Sequence, residues 1–383
     1  MLKARLFYFL YFAGMSSLMP YLAVVYQARG VPGPQIGILT ALPPLITMVA
    51  APLWSGLADA TNRHKLVLLV LTGGTAAAVA GMASAQSFAV LVPVVALYAL
   101  CLAPLMPIVD SAVLTALGDR RDDYGRQRII GSLAPAFVGP AASAISGRFG
   151  LQWSFYIFIG CFVLLGALFT TMRIDTVEGS THFSAGLNSL VRDVGLRRFL
   201  IVVFLGMVGY GASITYLYVR LEEVGANPAL LGFALTAGAL GEMPFLLLSP
   251  RLLKRVGARG TLVCSLIAIA VILFGESLAR APWMLVALQL LHGTAFSGMA
   301  VAGVAYADEV APPGLGATAQ GMFNAVFSGI GIAVGALVSS IVRDRWSSPV
   351  MFQVAGTAAV LGLGLLLVRG RDRDASNRQA ESA

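Results

Sequence analysis

A few ionisable side chains stand in this 383-residue chain where water is scarce. Glu242 lies in the apolar run LTAGALGEMPFLLLSP, with no basic residue within a helical turn of it. An embedded charge costs about 2.5–3.5 kcal/mol on insertion scales, so a retained one points to function. A carboxyl group there needs a partner from another helix and is a candidate proton carrier. The plainer reading is a protonated Glu bonded to a neighbouring helix, worth about 0.6 kcal/mol. His292 also lies inside an apolar run, whereas His64 and His182 fall in polar connections. Imidazole titrates near about pH 6.5, which suits proton relay or solute binding as well as simple helix packing. Asp110 and Arg128 flank a basic turn. An arginine fork takes a hydroxyl pair or a carboxylate bidentately, or ties two helices together. Tyr8, Tyr11, Tyr210, Tyr216 and Asn324 are candidate cavity-lining groups, although tyrosine also gathers at membrane interfaces.

Enzyme chemistry finds no foothold. No glycine-rich loop with Lys offers to cradle a nucleotide phosphate. Cys101, Cys161 and Cys264 fall in apolar segments at unrelated spacings, giving neither a disulfide framework nor a metal site. The expectation is a non-enzyme with no cofactor beyond a proton gradient. The net charge of +8 suggests nucleic acid less than membrane topology, because no basic run interleaves with aromatics on a polar face.

The elements that carry these residues follow from composition. Only 11% of residues are charged and 58% are hydrophobic, against roughly 25% charged in soluble domains. Apolar stretches run for about 20 residues, the length a helix needs to cross the hydrocarbon core. In lipid the backbone must satisfy its own hydrogen bonds, so these spans are helices. Twelve are expected, near 6–28, 35–57, 66–86, 88–117, 127–148, 151–171, 198–221, 229–250, 261–279, 282–307, 315–342 and 346–368. The basic start, with Lys3 and Arg5, leads into a first span rather than a cleaved signal peptide, because the apolar region is long and contains Pro20. Pro20, Pro43 and Pro44 are candidate kinks.

Orientation comes from the basic residues. With twelve spans, 20 of the 26 Lys and Arg residues fall on the side of the N-terminus, and only Arg29, Arg148, Arg220, Arg280, Arg343 and Arg345 on the other. Both termini are therefore expected in the cytoplasm and the chain in the inner membrane. The stretch RIDTVEGSTHFSAGLNSLVRDVGLRR at 173–198 contains the expected central linker, 173–197. It divides residues 1–172, a first six-helix bundle, from residues 198–370, a second. The tail 371–383 reads as a solvated end. A weak repeat, GVPGPQIG at 30–37 and VGANPALLG at 224–232, agrees with parallel six-helix halves.

These features resemble the major facilitator superfamily. GLADATNRHK places Gly56, Asp59, Arg63 and Lys65 as in its cytoplasmic loop signature, although Ala60 and Asn62 depart from the pattern. FYFLYFAG at 7–14, YGRQRIIGS at 124–132, GEMPF at 241–245 and LHGTAF at 291–296 are similar to the branch that contains lactose permease and the phenylpropionate and nucleoside permeases. The resemblance implies an all-α membrane protein of two pseudo-symmetric six-helix bundles, working as a monomer by alternating access. It implies solute binding at Asp110, Arg128, Glu242, His292, Tyr11 and Asn324, and proton coupling at Glu242 and His292. It assigns gating to Gly56, Asp59, Arg63 and Lys65. Around His292 the pattern departs, with Gln289 and Ala295 at the flanking positions, and beyond Arg128 Pro135 and Ala136 stand where a stacking aromatic is expected. The function expected is proton symport of a sugar, nucleoside or aromatic acid. A facilitator, a proton-antiport exporter and a non-transporting ligand sensor are the alternatives.

Overall fold

The computed structural model describes residues 2–117, 124–172, 193–310 and 316–368. Twelve helices account for nearly all of them. The first six are α1 (Leu2–Ala28), α2 (Gly33–Thr61), α3 (His64–Ser84), α4 (Phe88–Leu117), α5 (Tyr124–Phe149) and α6 (Gln152–Thr171). The second six are α7 (Val194–Glu223), α8 (228–256), α9 (258–278), α10 (282–310), α11 (316–345) and α12 (Ser348–Val368).

Ten described segments are long and apolar enough to cross a membrane. One of them, Leu230–Leu278, runs for 49 residues, about 74 Å of helix and far more than a core of about 30 Å requires. It holds two crossings, because Gly257 turns the chain with φ 70° and ψ 174°. α5 is not among these ten; it is rich in Gly, Pro, Ser and Ala and packs along α1 and α8.

Several boundaries differ from expectation. RLLKRVGARG is helical on both sides of Gly257, since Arg, Lys and Leu are good helix formers and Gly257 is the breaker. α7 begins at Val194, four residues early, because Asp193 caps it by accepting from the Leu196 amide at 2.7 Å. Pro20 sits in a 3₁₀ turn, Met19–Tyr21, inside α1. The expected linker residues 173–192 and the tail lie outside the described residues.

In the first half α1 packs on α5 and α6, α3 on α6 and α4, and α2 on α4. In the second half α7 packs on α11 and α12, α9 on α12, and α10 against α8 and α9. Counting six helices on carries α1–α5 to α7–α11, α1–α6 to α7–α12, and α3–α6 to α9–α12. The halves meet along α2–α11 and α5–α8, and the same shift exchanges these two seams.

Small residues make both seams. A Cβ on Gly33 would stand 2.9 Å from the Asp344 side chain, and one on Gly37 would stand 2.7 Å from Ser340 Cβ. On the other seam Gly147 and the Ser143 hydroxyl abut Pro228, Gly232 abuts Pro140, and Thr236 Oγ1 donates to the Ala136 carbonyl at 3.2 Å. Close backbone approach is how helices associate where lipid offers no hydrophobic drive. These contacts cluster toward the end of the molecule where α1 passes into α2 and α7 into α8. There Arg343 Nη2 on α11 donates across the halves to Gln27 Oε1 at 3.2 Å, and Tyr21 lies 5.9 Å from Tyr218, ring to ring. At the opposite end the segments Leu105–Leu117, Gly298–Val310 and Gly316–Asn324 pack chiefly within their own halves. Among the described residues the halves are joined at one end and parted at the other.

Candidate functional site

Each half contributes a polar cluster built on helices that flank the seams. In the first half the Tyr8 hydroxyl on α1 donates to Asp110 Oδ1 on α4 at 2.6 Å. Tyr8 is fully enclosed, and α5 reaches it because Gly131 lies against Tyr8 and Phe12 with no room for a Cβ. That approach brings Arg128, one turn before Gly131, alongside α1; its side chain lies outside the described ones. Arg5 Nε donates to Gln127 Oε1 at 2.8 Å on the same turn of α5. Tyr11, one turn after Tyr8, is largely buried and meets Phe12 edge-on at 5.4 Å.

In the second half Glu242 and His292 come together. Gly241 and Gly293 let α8 and α10 touch backbone to backbone: a Cβ on Gly293 would stand 2.6 Å from Glu242 Cα. Gly238 faces the His292 ring at ordinary contact distance, 3.8 Å for an added Cβ. Ser297 Oγ donates to Glu242 Oε1 at 2.8 Å, and the Tyr210 hydroxyl on α7 hydrogen-bonds His292 Nδ1. Phe296 stacks on His292 and on Tyr210 at 5.7 Å each, and meets Phe327 of α11 at 5.0 Å. Between these rings α10 and α11 each carry a π-helical stretch, Gly293–Ser297 and Ala325–Ile330. Such bulges recur at functional sites, where the wider turn re-aims side chains. Asn324 is exposed and directly precedes the second bulge.

The arrangement offers an acid, an imidazole, hydroxyls and aromatic faces in one half, and a second acid with a phenol in the other. It can hold a hydroxylated solute and exchange protons with it. Among the described residues no group of three or more His, Cys, Asp or Glu could hold a metal ion.

The remaining expected residues are placed apart from this site. Tyr216 is fully enclosed, and its hydroxyl donates to Ser340 Oγ at 2.7 Å near the joined end. Gly56 and Arg63 are exposed at the parted end, and the Asp59 side chain lies outside the described ones. Lys65 Nζ donates to the Thr170 carbonyl at 2.5 Å, and Lys3 Nζ to the Thr171 carbonyl at 2.6 Å, so both cations satisfy the C-terminus of α6 in their own half.

Two buried polar side chains escaped the sequence reading. Ser297 carries no mark in the sequence beyond lying near His292. Glu276 lies three residues from the end of the expected span 261–279, where a carboxylate would reach interfacial water. The structure turns it inward to complete burial instead.

Comparison with known proteins adds the family. Residues 1–354 match a family model described as the MFS_1 like family. The chain is similar to a maltose permease of Geobacillus stearothermophilus, 28% identical over 98% of this chain and 96% of that protein. It is also similar to the multidrug resistance protein MdtG of Citrobacter koseri, 27% identical over 75% of this chain and 74% of that one. Its fold superposes on a mutant form of the nucleoside transporter NupG with a TM-score of 0.87 at 16% identity, over 97% of this chain and 99% of that one.

Proposed function

This chain belongs to the MFS_1 like family, and on that premise we propose that it couples proton movement to uptake of a small hydroxylated solute. It is a multi-pass membrane transporter of the major facilitator fold. The finer reading is symport by alternating access, with solute held between the Tyr8–Asp110 cluster and the Tyr210–His292–Glu242 cluster. One observation carries it: Glu242 is half-buried at the α8–α10 contact, bonded to a neutral hydroxyl and linked through α10 to a histidine. A carboxyl group so held can take up a proton and release it as the site opens. In this scheme Asp110, Arg128, Tyr11 and Asn324 orient the solute, and Glu242 and His292 carry the proton.

The excess of basic residues on the N-terminal side supports termini in the cytoplasm of a bacterial inner membrane. The joined end then faces away from the cytoplasm, and the halves part toward it. Similarity to a maltose permease supports sugars first among the solutes. Similarity to a multidrug resistance protein favours a second reading, export in exchange for protons. No other co-substrate is invoked, and a monomer suffices because both clusters belong to one chain.

A thermal-stability panel of sugars, nucleosides and aromatic acids on the purified protein, at about pH 6 and about pH 8, tests the reading. Symport predicts one class that stabilises the wild type in a pH-dependent way, with that dependence lost in Glu242→Gln. Equal stabilisation at both pH values and in the variant would remove proton coupling from the account.

A further inference from the structure

Glu276 is a fully buried carboxyl group that this transport scheme leaves idle. It lies two residues before the end of α9 and is 0% exposed. Its Oε1 accepts from Ser213 Oγ of α7 at 2.7 Å and from Gln289 Nε2 of α10 at 3.3 Å. Its Oε2 has no hydrogen-bond partner among the described residues. The neighbouring cation, Arg220 of α7, gives two of its donors to main chain: Nε to the Glu276 carbonyl at 3.3 Å and Nη2 to the Ala279 carbonyl at 2.9 Å. The other titratable groups turned toward this network are Tyr210 of α7, His292 of α10 and, beyond it, Glu242 of α8. α12, which packs along α9, carries no titratable residue over Ser348–Val368.

A carboxylate anion with one bare oxygen and no cation hydrogen-bonded to either oxygen is among the costliest groups to keep from water. Two neutral donors on one oxygen suit a carboxyl group that carries its own proton, and a buried group left partly unsatisfied calls for an explanation. Position supplies one. Ser213 stands one turn from Tyr210 on α7, and Gln289 one turn from His292 on α10. The Glu276 bridge and the Tyr210–His292 pair are thus consecutive rungs between the same helices. In the other direction Arg220 Nη1 pairs with Glu223 Oε2 at 3.3 Å. Glu223 Oε1 accepts from Ser348 Oγ at 2.6 Å and from Arg343 Nη2 at 3.0 Å, and Arg343 is the side chain that reaches Gln27 across the halves.

We propose that Glu276, with Ser213 and Gln289, is a second proton-binding site, and that release of its proton draws Arg220 away from Glu223 and loosens the Arg343–Gln27 tie at the joined end. The site rests on the proton-coupled reading of the function and extends it to the far gate. When the proton leaves Oε2, the carboxylate offers two lone-pair oxygens to a guanidinium that already touches its own backbone carbonyl. Glu223 then loses one of its two cations, and the end that α1 and α11 close is held less firmly.

Infrared difference spectra of the full-length protein in nanodiscs, stepped from about pH 5 to about pH 9, read the carboxylic-acid C=O stretch directly. The same sample labelled with nitroxides through A28C and R345C, with the native cysteines replaced, reads the separation across the joined end. A titrating band present in wild type and Glu242→Gln but absent in Glu276→Gln is expected, with the label separation widening as the pH rises except in Glu276→Gln. Identical spectra in wild type and Glu276→Gln, or an identical pH response of the label separation, would overturn the site. Should Glu276→Gln not fold, Ser213→Ala keeps the carboxyl and removes one donor: a displaced band supports the site, an undisplaced one sinks it. Uptake that ignores a pH gradient while the Glu276 band titrates would defeat the symport reading alone. Gradient-driven uptake with no Glu276 band would defeat this site alone.

Discussion

Gly293→Ala probes the contact on which the second-half cluster depends. Gly293 opens the π-helical stretch of α10, and an added Cβ would lie 2.6 Å from Glu242 Cα, about 0.8 Å inside the 3.4 Å at which ordinary contact begins. The obstacle is backbone, with the Gly241 main chain beside it, so no rotamer change relieves it. α8 and α10 must part, and overpacking of this kind costs about 1–3 kcal/mol. A displacement of about 0.8 Å also takes the 2.8 Å Ser297–Glu242 bond to about 3.6 Å, beyond hydrogen-bond range. That removes a further contribution of about 0.6 kcal/mol. The assay pairs thermal unfolding in nanodiscs with uptake in proteoliposomes. Gly73→Ala and Gly160→Ala are the controls, since a Cβ at either meets nothing within 4 Å. Gly293→Ala should melt measurably lower and lose most uptake, while the controls keep both. A Gly293→Ala protein as stable and as active as the controls would refute the reasoning that glycine contact positions Glu242.

Three further outcomes follow from other contacts. Tyr8→Phe removes the 2.6 Å donor from Asp110 and should weaken solute binding by roughly fivefold, about 1 kcal/mol, in the thermal-shift titration. Gly37→Leu fills the α2–α11 seam where Ser340 lies, so the joined end cannot close; a cysteine placed at Tyr21, which that end buries against Tyr218, should then react faster with a membrane-impermeant maleimide. Arg29 donates to the Met82, Ala83 and Ala85 carbonyls at 2.7–2.9 Å and so caps α3, and Arg29→Met should lower the melting temperature without altering which solute binds.

The spans were legible because a bilayer demands long apolar runs and punishes charge, and the basic residues mark the turns between them. α5 has weak hydropathy, and its small residues pack it closely against α1 and α8. Glu242 and His292 stood out for the same reason, as polar residues in apolar company. What stayed hidden was pairing. Tyr210 meets His292 from 82 positions away, and the choice depends on how α7 and α10 rotate against each other. The π-helical stretches leave no composition signature, since Gly293–Ser297 and Ala325–Ile330 read as ordinary helix. Glu276 was missed because distance from a span's end is a poor guide to depth: in the same last turn of α9 Leu278 is exposed while Glu276 turns inward to Ser213 of α7 and Gln289 of α10.

Proton movement with solute is the central claim, and it can be read without isotopes. Wild type and Glu242→Gln are reconstituted in lightly buffered vesicles, and external pH is followed when a solute chosen by the stability panel is added. The account predicts prompt external alkalinisation in wild type, abolished by a protonophore and absent in Glu242→Gln, with solute binding retained. Solute entry without any pH change, or acidification in its place, would contradict it.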